Sequence, residues 1–163
     1  MLILVTGGTF DKQYDPIRGE LGFAESHLPE ILRQSRITIP VRVQLLELMD
    51  SLQMTHEDRL NILAACREAE ERRIIVIHGT DTMVESAEVV GEAGLRQTIV
   101  FTGAMIPYSV VGSDALFNLG SALMAVQLLP TGVHVVMNGR AFEWDNVRKD
   151  KAEGAFVNVR AYE

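Results

Sequence analysis

The sequence predicts a doubly wound α/β fold built on a mostly parallel sheet. Leu2-Ile3-Leu4-Val5 and Ile74-Ile75-Val76-Ile77 are unbroken apolar runs, the pattern of parallel strands covered on both faces. Amphipathic helical stretches alternate with such runs, the order that crossover helices impose. The strands deliver into small polar residues, and ligands of open α/β sheets bind outside the carboxyl ends of strands.

The first strand enters Thr6-Gly7-Gly8-Thr9. Its glycines permit a sharp turn and close approach of a ligand, which sets Thr9 where chemistry occurs. The simpler alternative is a tight turn with a capping Thr. Phe10 to Glu20 is polar, holds Pro16 and Gly19, and has neither period, so a loop is expected that could close as a lid. Tyr14 is its one hydroxyl-bearing aromatic, which could equally be a rim residue.

Glu25 to Gln34 carries Leu28, Ile31 and Leu32 in an amphipathic helical pattern. Val41 to Leu48 alternates as the second strand and runs into Asp50-Ser51, which could also be plain turn residues. Thr55 to Asp58 resembles a capping box, opening a helix with Ile62, Cys66 and Ala69 on one face. Ile74 to Ile77 then delivers His78-Gly79-Thr80-Asp81-Thr82. Thr82 and Glu85 have capping-box spacing, and Met83, Ala87, Val90 and Gly94 form the expected inner face of the next helix. Asp81 could merely cap that helix. Gln97 to Thr102 is the fourth strand, ending in Gly103-Ala104-Met105-Ile106-Pro107. Ser113-Asp114 opens a helix striped by Leu116, Leu119, Leu123 and Val126, with Met124 expected in the core. Gly132 to Met137 is the fifth strand. Ala141 to Ala152 is charge-rich and reads as solvated loop, and Phe156 to Val159 as a short edge strand.

Bulk properties narrow the function. A chain of 163 residues, 47% apolar and 23% charged, suits one domain with a sizeable core. A net charge of −7 argues against sequence-independent nucleic-acid binding. The single cysteine, Cys66, excludes an internal disulfide. His27, His56, His78 and His134 lack metal-ligand spacing, so no metal site is expected. The short apolar start lacks a basic flank and is too brief for a leader or membrane span; a cytoplasmic location is expected, with no membrane partner. Gly7-Gly8 lacks the spaced glycines of a dinucleotide or P-loop fingerprint.

The strand ends therefore gather Thr9, Asp50-Ser51, Thr80-Asp81 and Ala104 around one crevice. Threonine is a weak nucleophile that needs a base, a lysine can serve, and an aspartate can orient it. Backbone N–H groups at glycine turns and helix starts can form an oxyanion hole, worth roughly 3 kcal/mol per donor.

Thr6-Gly7-Gly8-Thr9, Asp50-Ser51 with Met54-Thr55, His78-Gly79-Thr80-Asp81-Thr82-Met83, Gly103 to Pro107, Asp114 to Leu119 and Val147-Arg148-Lys149 occur in the order seen in bacterial L-asparaginases. The chain resembles the amino-terminal domain of the asparaginase/glutaminase family over nearly its whole length. That resemblance implies a flavodoxin-like three-layer fold and a catalytic domain over residues 1–163, without the family's second domain. It implies hydrolysis of L-asparagine to L-aspartate and ammonia with no cofactor, in a homo-oligomer (dimer or tetramer). Thr9 is implied as nucleophile, Tyr14 as its helper and lid, and Thr80, Lys149 and Asp81 as a second triad. Gly8, Asp50, Ser51, Thr80, Asp81 and the Ala104 carbonyl are implied to bind the substrate. Three features depart from the family: the chain stops where the second domain would begin, Tyr14 follows Thr9 by only five positions, and Leu52 stands where a polar residue is common. Alternatives are another amide donor such as glutamine, the ammonia-producing component of an amidotransferase, and a non-catalytic amino-acid-binding module.

Overall fold

A computed structural model describes residues 1–160. The strands are β1 (Leu2–Gly7), β2 (Gln13–Asp15), β3 (Glu20–Gly22), β4 (Arg42–Met49), β5 (Arg73–Ile77), β6 (Thr98–Thr102), β7 (Gly132–Met137), β8 (Arg140–Glu143), β9 (Arg148–Asp150) and β10 (Ala155–Val157). The α-helices are α1 (Leu28–Gln34), α2 (His56–Glu68), α3 (Met83–Glu92) and α4 (Ala115–Leu128), and short 3₁₀ turns span Thr9–Asp11 and Ser51–Gln53.

The main sheet has six strands in the order β4-β1-β5-β6-β7-β8. The five expected strands are parallel, and β8 folds back antiparallel on β7. Side chains alternate between two apolar layers. Leu4, Val76 and Phe101 pack with Ile62 and Cys66 of α2 and Ala87 and Val90 of α3. Val5, Ile75 and Val100 pack with Ile31 of α1 and Leu119, Ala122 and Val126 of α4. Both faces of the central strands are therefore buried, which is why their sequences run apolar without alternation. Among the described residues, no helix is long and apolar enough to cross a membrane.

The Thr55–Asp58 capping box is formed, with Asp58 N–H donating to Thr55 Oγ1 and Asp58 Oδ2 accepting from Thr55 N–H. Several other expectations are corrected. The stretch after Thr9 is not plain loop: β2 and β3 pair as a hairpin, with Tyr14 opposite Leu21. The Thr82–Glu85 capping box does not form, because Thr82 Oγ1 donates to the Ser51 carbonyl across the sheet end. Gly94 lies beyond α3, exposed at φ +60°, a helix-stop position rather than an inner face. Met124 and Leu116 are 57% and 40% exposed, so the apolar surface of α4 is wider than its buried stripe. Residues 141–152 are not wholly solvated loop, since they hold the end of β8 and all of β9. Phe156 is not on an edge of the main sheet: β10 pairs antiparallel with β9 in a separate ribbon, and Phe156 reaches the core.

Candidate active site

In chain order the parallel strands are first β1, then β4, β5, β6 and β7, so the sheet order reverses between β1 and β5. A doubly wound sheet has its ligand crevice at such a switch point. Thr9 follows β1, and Thr80 follows β5.

Glycine brings these two turns together. Gly8 has φ +72°, and a Cβ on it would lie 2.3 Å from Gly79 Cα. Its N–H donates to the Met49 carbonyl at 2.9 Å, tying the turn to the end of β4 as well. A Cβ on Gly79 would lie 2.5 Å from Ser51 Oγ. Backbone contacts through Gly8 and Gly79 thus join the ends of β1, β4 and β5, and Thr9, Ser51 and Thr80 border this junction. Ser51 is buried, Thr80 is buried and Thr9 is half-buried. Thr9 opens a 3₁₀ turn, where first-turn N–H groups have no partner within the helix.

Lys149 arrives from the ribbon β9–β10. The pairing of Lys149 with Phe156, whose ring is anchored in the core, fixes the position of its backbone. Its Nζ donates to Thr80 Oγ1 at 2.8 Å and to Asp81 Oδ1 at 2.7 Å. The Lys149 side chain is 12% exposed and the Asp81 side chain 38%, so the lysine end of this contact is sheltered while the carboxylate reaches solvent. Asp81 therefore serves the lysine, while Thr82 takes the N-cap position of α3. A cleft lined by Val84, Glu88 and Lys151 flanks the pair.

Ala104 is fully buried on the loop after β6. That loop is held by Asp114, which accepts from the Met105 and Ile106 N–H groups and from the side-chain amides of Asn118 and Asn138. Burial works against the Asp114 carboxylate, but the N–H groups of Ile106 and Met105 and the Asn138 amide outweigh it and hold the group below its ordinary range. Asn118 also donates to the Gly103 carbonyl, locking the loop onto α4.

Asp50 is occupied. Its Oδ1 accepts from the Leu52 N–H at 3.0 Å, and its Oδ2 accepts from Lys12 Nζ at 2.5 Å. The Lys12 ammonium holds the Asp50 carboxyl below the usual range, against a smaller opposing effect of burial. Tyr14 is not brought to the threonines; it is 63% exposed and lines a cleft within the hairpin with Arg18 and Phe23. Below the Thr9 turn, Asp11 is fully buried and accepts from Ser26 Oγ and the His27 N–H. Burial raises its pKa despite those hydrogen bonds. His78 is buried, with Nδ1 beside the Gly79 carbonyl and Nε2 beside Ser86 Oγ, and burial pushes its pKa down to about 4. It is a neutral strut under the Thr80 turn.

Sequence reading missed Lys12 and the hub formed by Asp114, Asn118 and Asn138. Lys12 sits in a stretch with no periodicity, and its partner lies 38 positions away. The Asp114-Ala115-Leu116-Phe117-Asn118 stretch carried the one available signal, two polar groups at helical spacing. Among the described residues, no group of three His, Cys, Asp or Glu side chains is placed to hold a metal ion.

Known proteins share this fold and part of this sequence. The L-asparaginase from Thermococcus kodakarensis superposes with a TM-score of 0.84 at 26% identity, over 99% of this chain and 51% of that one. The human protein named 60 kDa lysophospholipase is 31% identical over 127 residues, 75% of this chain and 22% of that protein. The L-asparaginase of Dirofilaria immitis is 28% identical over 127 residues, again 75% of this chain and 22% of that protein. The chain thus spans about half the length of the solved relative and under a quarter of the two curated ones. The family model for the asparaginase N-terminal region matches residues 1–160, and the chain belongs to the asparaginase family.

Proposed function

We propose that this chain is an amide hydrolase that converts L-asparagine to L-aspartate and ammonia through a threonine ester. One observation carries the reading: Lys149 Nζ bridges Thr80 and Asp81, at 2.8 and 2.7 Å, at the strand-end junction that Thr9 also borders. Likeness to the Thermococcus L-asparaginase supports the choice of amide.

In the proposed reaction, Thr9 Oγ1 attacks the side-chain carbonyl carbon, and a C–O bond forms as the C–N bond breaks. The proton lost by Thr9 is balanced by the one that the leaving nitrogen gains. Thr80 is the relay: its hydroxyl hydrogen passes to the departing NH₂ group, Lys149 replaces it on the Thr80 oxygen that it already donates to, and the proton lost by Thr9 returns Lys149 to its ammonium form beside Asp81. First-turn N–H groups at the Thr9 turn would steady the charge on the carbonyl oxygen. The Ala104 carbonyl would accept from the amide N–H, and Ser51 would hold the α-carboxylate. Water then attacks the ester, its proton returns to Thr9, and aspartate leaves. Tyr14 would assist only after the hairpin moves, since it is exposed as it stands.

We take residues 1–163 to suffice for this reaction in a dimer or tetramer. The bare Phe117, Met124 and Leu128 side chains on α4, 58%, 57% and 76% exposed, support association. A coupled ammonia assay on this chain with L-asparagine, L-glutamine and simple amides, run beside light scattering, tests the reading. Thr9→Val is expected to abolish ammonia release; wild-type turnover in that variant would remove Thr9 as nucleophile. Binding of L-aspartate without turnover of any amide would favour an amino-acid-binding module instead.

A further inference from the structure

The parallel strands all begin on one edge of the sheet, opposite the crevice. Arg72 and Arg73 lead into β5, Arg96 precedes β6, and Thr131 precedes β7. Strand pairing fixes their spacing: Arg73 lies opposite Thr98, and Thr98 opposite Gly132. The Thr98 N–H donates to the Arg72 carbonyl at 2.9 Å, and the Gly132 N–H to the Gln97 carbonyl at 3.1 Å, so the ladder extends to the strand starts. At this edge Glu71, Arg72, Arg73, Arg96, Thr98 and Thr131 line a cavity of about 420 Å³, a size that suits a small ligand.

The charge in this cavity is unbalanced. Arg42 holds both carboxylate oxygens of Glu71, at 2.7 and 2.9 Å, and takes that group down to about 2. Glu71 is therefore ionised but already matched. Among the described residues, no hydrogen bond or ion pair engages the side chains of Arg72, Arg73 or Arg96, and all three are exposed. In a chain of net charge −7, three unmatched guanidinium groups around one cavity are a local reversal of sign.

We propose that this cavity binds a chain of phosphate groups, the chemistry shared by inorganic tripolyphosphate and nucleoside triphosphates. A guanidinium fork matches phosphate oxygens two at a time. Three forks on the starts of two neighbouring strands complement charges set in a row, whereas a single carboxylate or phosphate would leave part of the cluster unmatched. Among the described lining residues there is no aromatic ring on which a base could stack, so the phosphates themselves are what is recognised. The four steps from Arg73 to Ile77, at about 3.3 Å each, set this cavity roughly 13 Å from the strand end that leads to Thr80. The ligand therefore binds without entering the crevice, and the proposal stands apart from the amide-hydrolase reading.

Calorimetry in magnesium-free buffer tests it, with tripolyphosphate, ATP and inorganic phosphate as probes. Wild type is compared with Arg73→Met, Arg96→Met and, as a distant control, Arg18→Met in the β2–β3 hairpin, each checked for folding by circular dichroism. Tripolyphosphate is expected to bind at least as tightly as ATP and at least 10-fold more tightly than inorganic phosphate. Arg73→Met and Arg96→Met are each expected to weaken it roughly 10- to 100-fold, the effect of losing hydrogen bonds between charged groups, and Arg18→Met to leave it unchanged. Excess L-aspartate is expected not to displace it. Absence of tripolyphosphate binding, equal affinity in the two folded cavity variants and wild type, a requirement for the nucleoside, or displacement by L-aspartate would each overturn the proposal.

Discussion

Gly8 and Gly79 touch backbone to backbone at the carboxyl ends of β1 and β5, and a Cβ on Gly8 would fall 2.3 Å from Gly79 Cα. No side chain fits there. The contact sets the separation of the two turns that end in Thr9 and Thr80, and so the width of the crevice between them.

Gly8→Ala is therefore expected to destabilise the fold by about 2–4 kcal/mol, from overpacking against backbone plus a side chain at positive φ. Urea denaturation reads the loss. Gly19→Ala serves as the comparison: its φ is also +72°, but nothing lies within 4 Å of its Cβ position. Only the conformational part, about 1 kcal/mol, is expected there. Equal losses at the two positions would show that close packing is not what fixes Gly8.

Lys149 donates to both Thr80 and Asp81. Lys149→Met keeps most of the side-chain bulk and removes the donor. Ammonia release is expected to fall about 1,000-fold, within the range of acid–base effects, with a smaller change in KM. Steady-state kinetics on L-asparagine measures both. A fall confined to KM would make Lys149 a binding group rather than part of the proton relay.

Asp114 accepts hydrogen bonds from its own loop, from α4 and from the turn after β7. Asp114→Ala strands the Met105 and Ile106 N–H groups and frees the loop that carries Ala104. A stability loss of about 1.5–3 kcal/mol is expected, because several donors, part-buried or exposed, lose one charged acceptor. Hydrogen exchange should speed up at Met105 and Ile106 first. Unchanged protection there would mean that the loop is held by its packing alone.

His78 makes stability depend on pH. Its folded pKa is lowered to about 4 from an ordinary 6.5, so the unfolded chain binds the extra proton first. The contribution of His78 is fully present above pH 6.5 and is lost as pH falls towards 4, at most about 3 kcal/mol across the window. Urea midpoints at pH 7.5 and pH 5 should show the drop in wild type. His78→Gln should show a smaller one, and the same slope in both would place the titration elsewhere.

Much of this protein could be read from its residues in order. Ile74 to Ile77 announces a buried strand because a parallel strand between two helix layers has no wet face. Thr55 with Asp58 announces a helix start because both partners are local. The short strands were harder. β8 and β9 have only a few residues each, too few to display a period, and their existence depends on partners elsewhere.

Sequence alone determined the parallel core strands, the helices between them, and which strand ends carry threonine, serine and aspartate. Those features are local, set by apolar periodicity and turn chemistry within a few residues. Tertiary structure alone decided that Lys12 engages Asp50 and that Thr82 reaches for Ser51 instead of closing its own capping box, and it is the fold that brings Lys149 to Thr80, a meeting that only the family resemblance implied. Each of these joins residues at least 31 positions apart, and only the winding of the sheet brings such groups within hydrogen-bond reach.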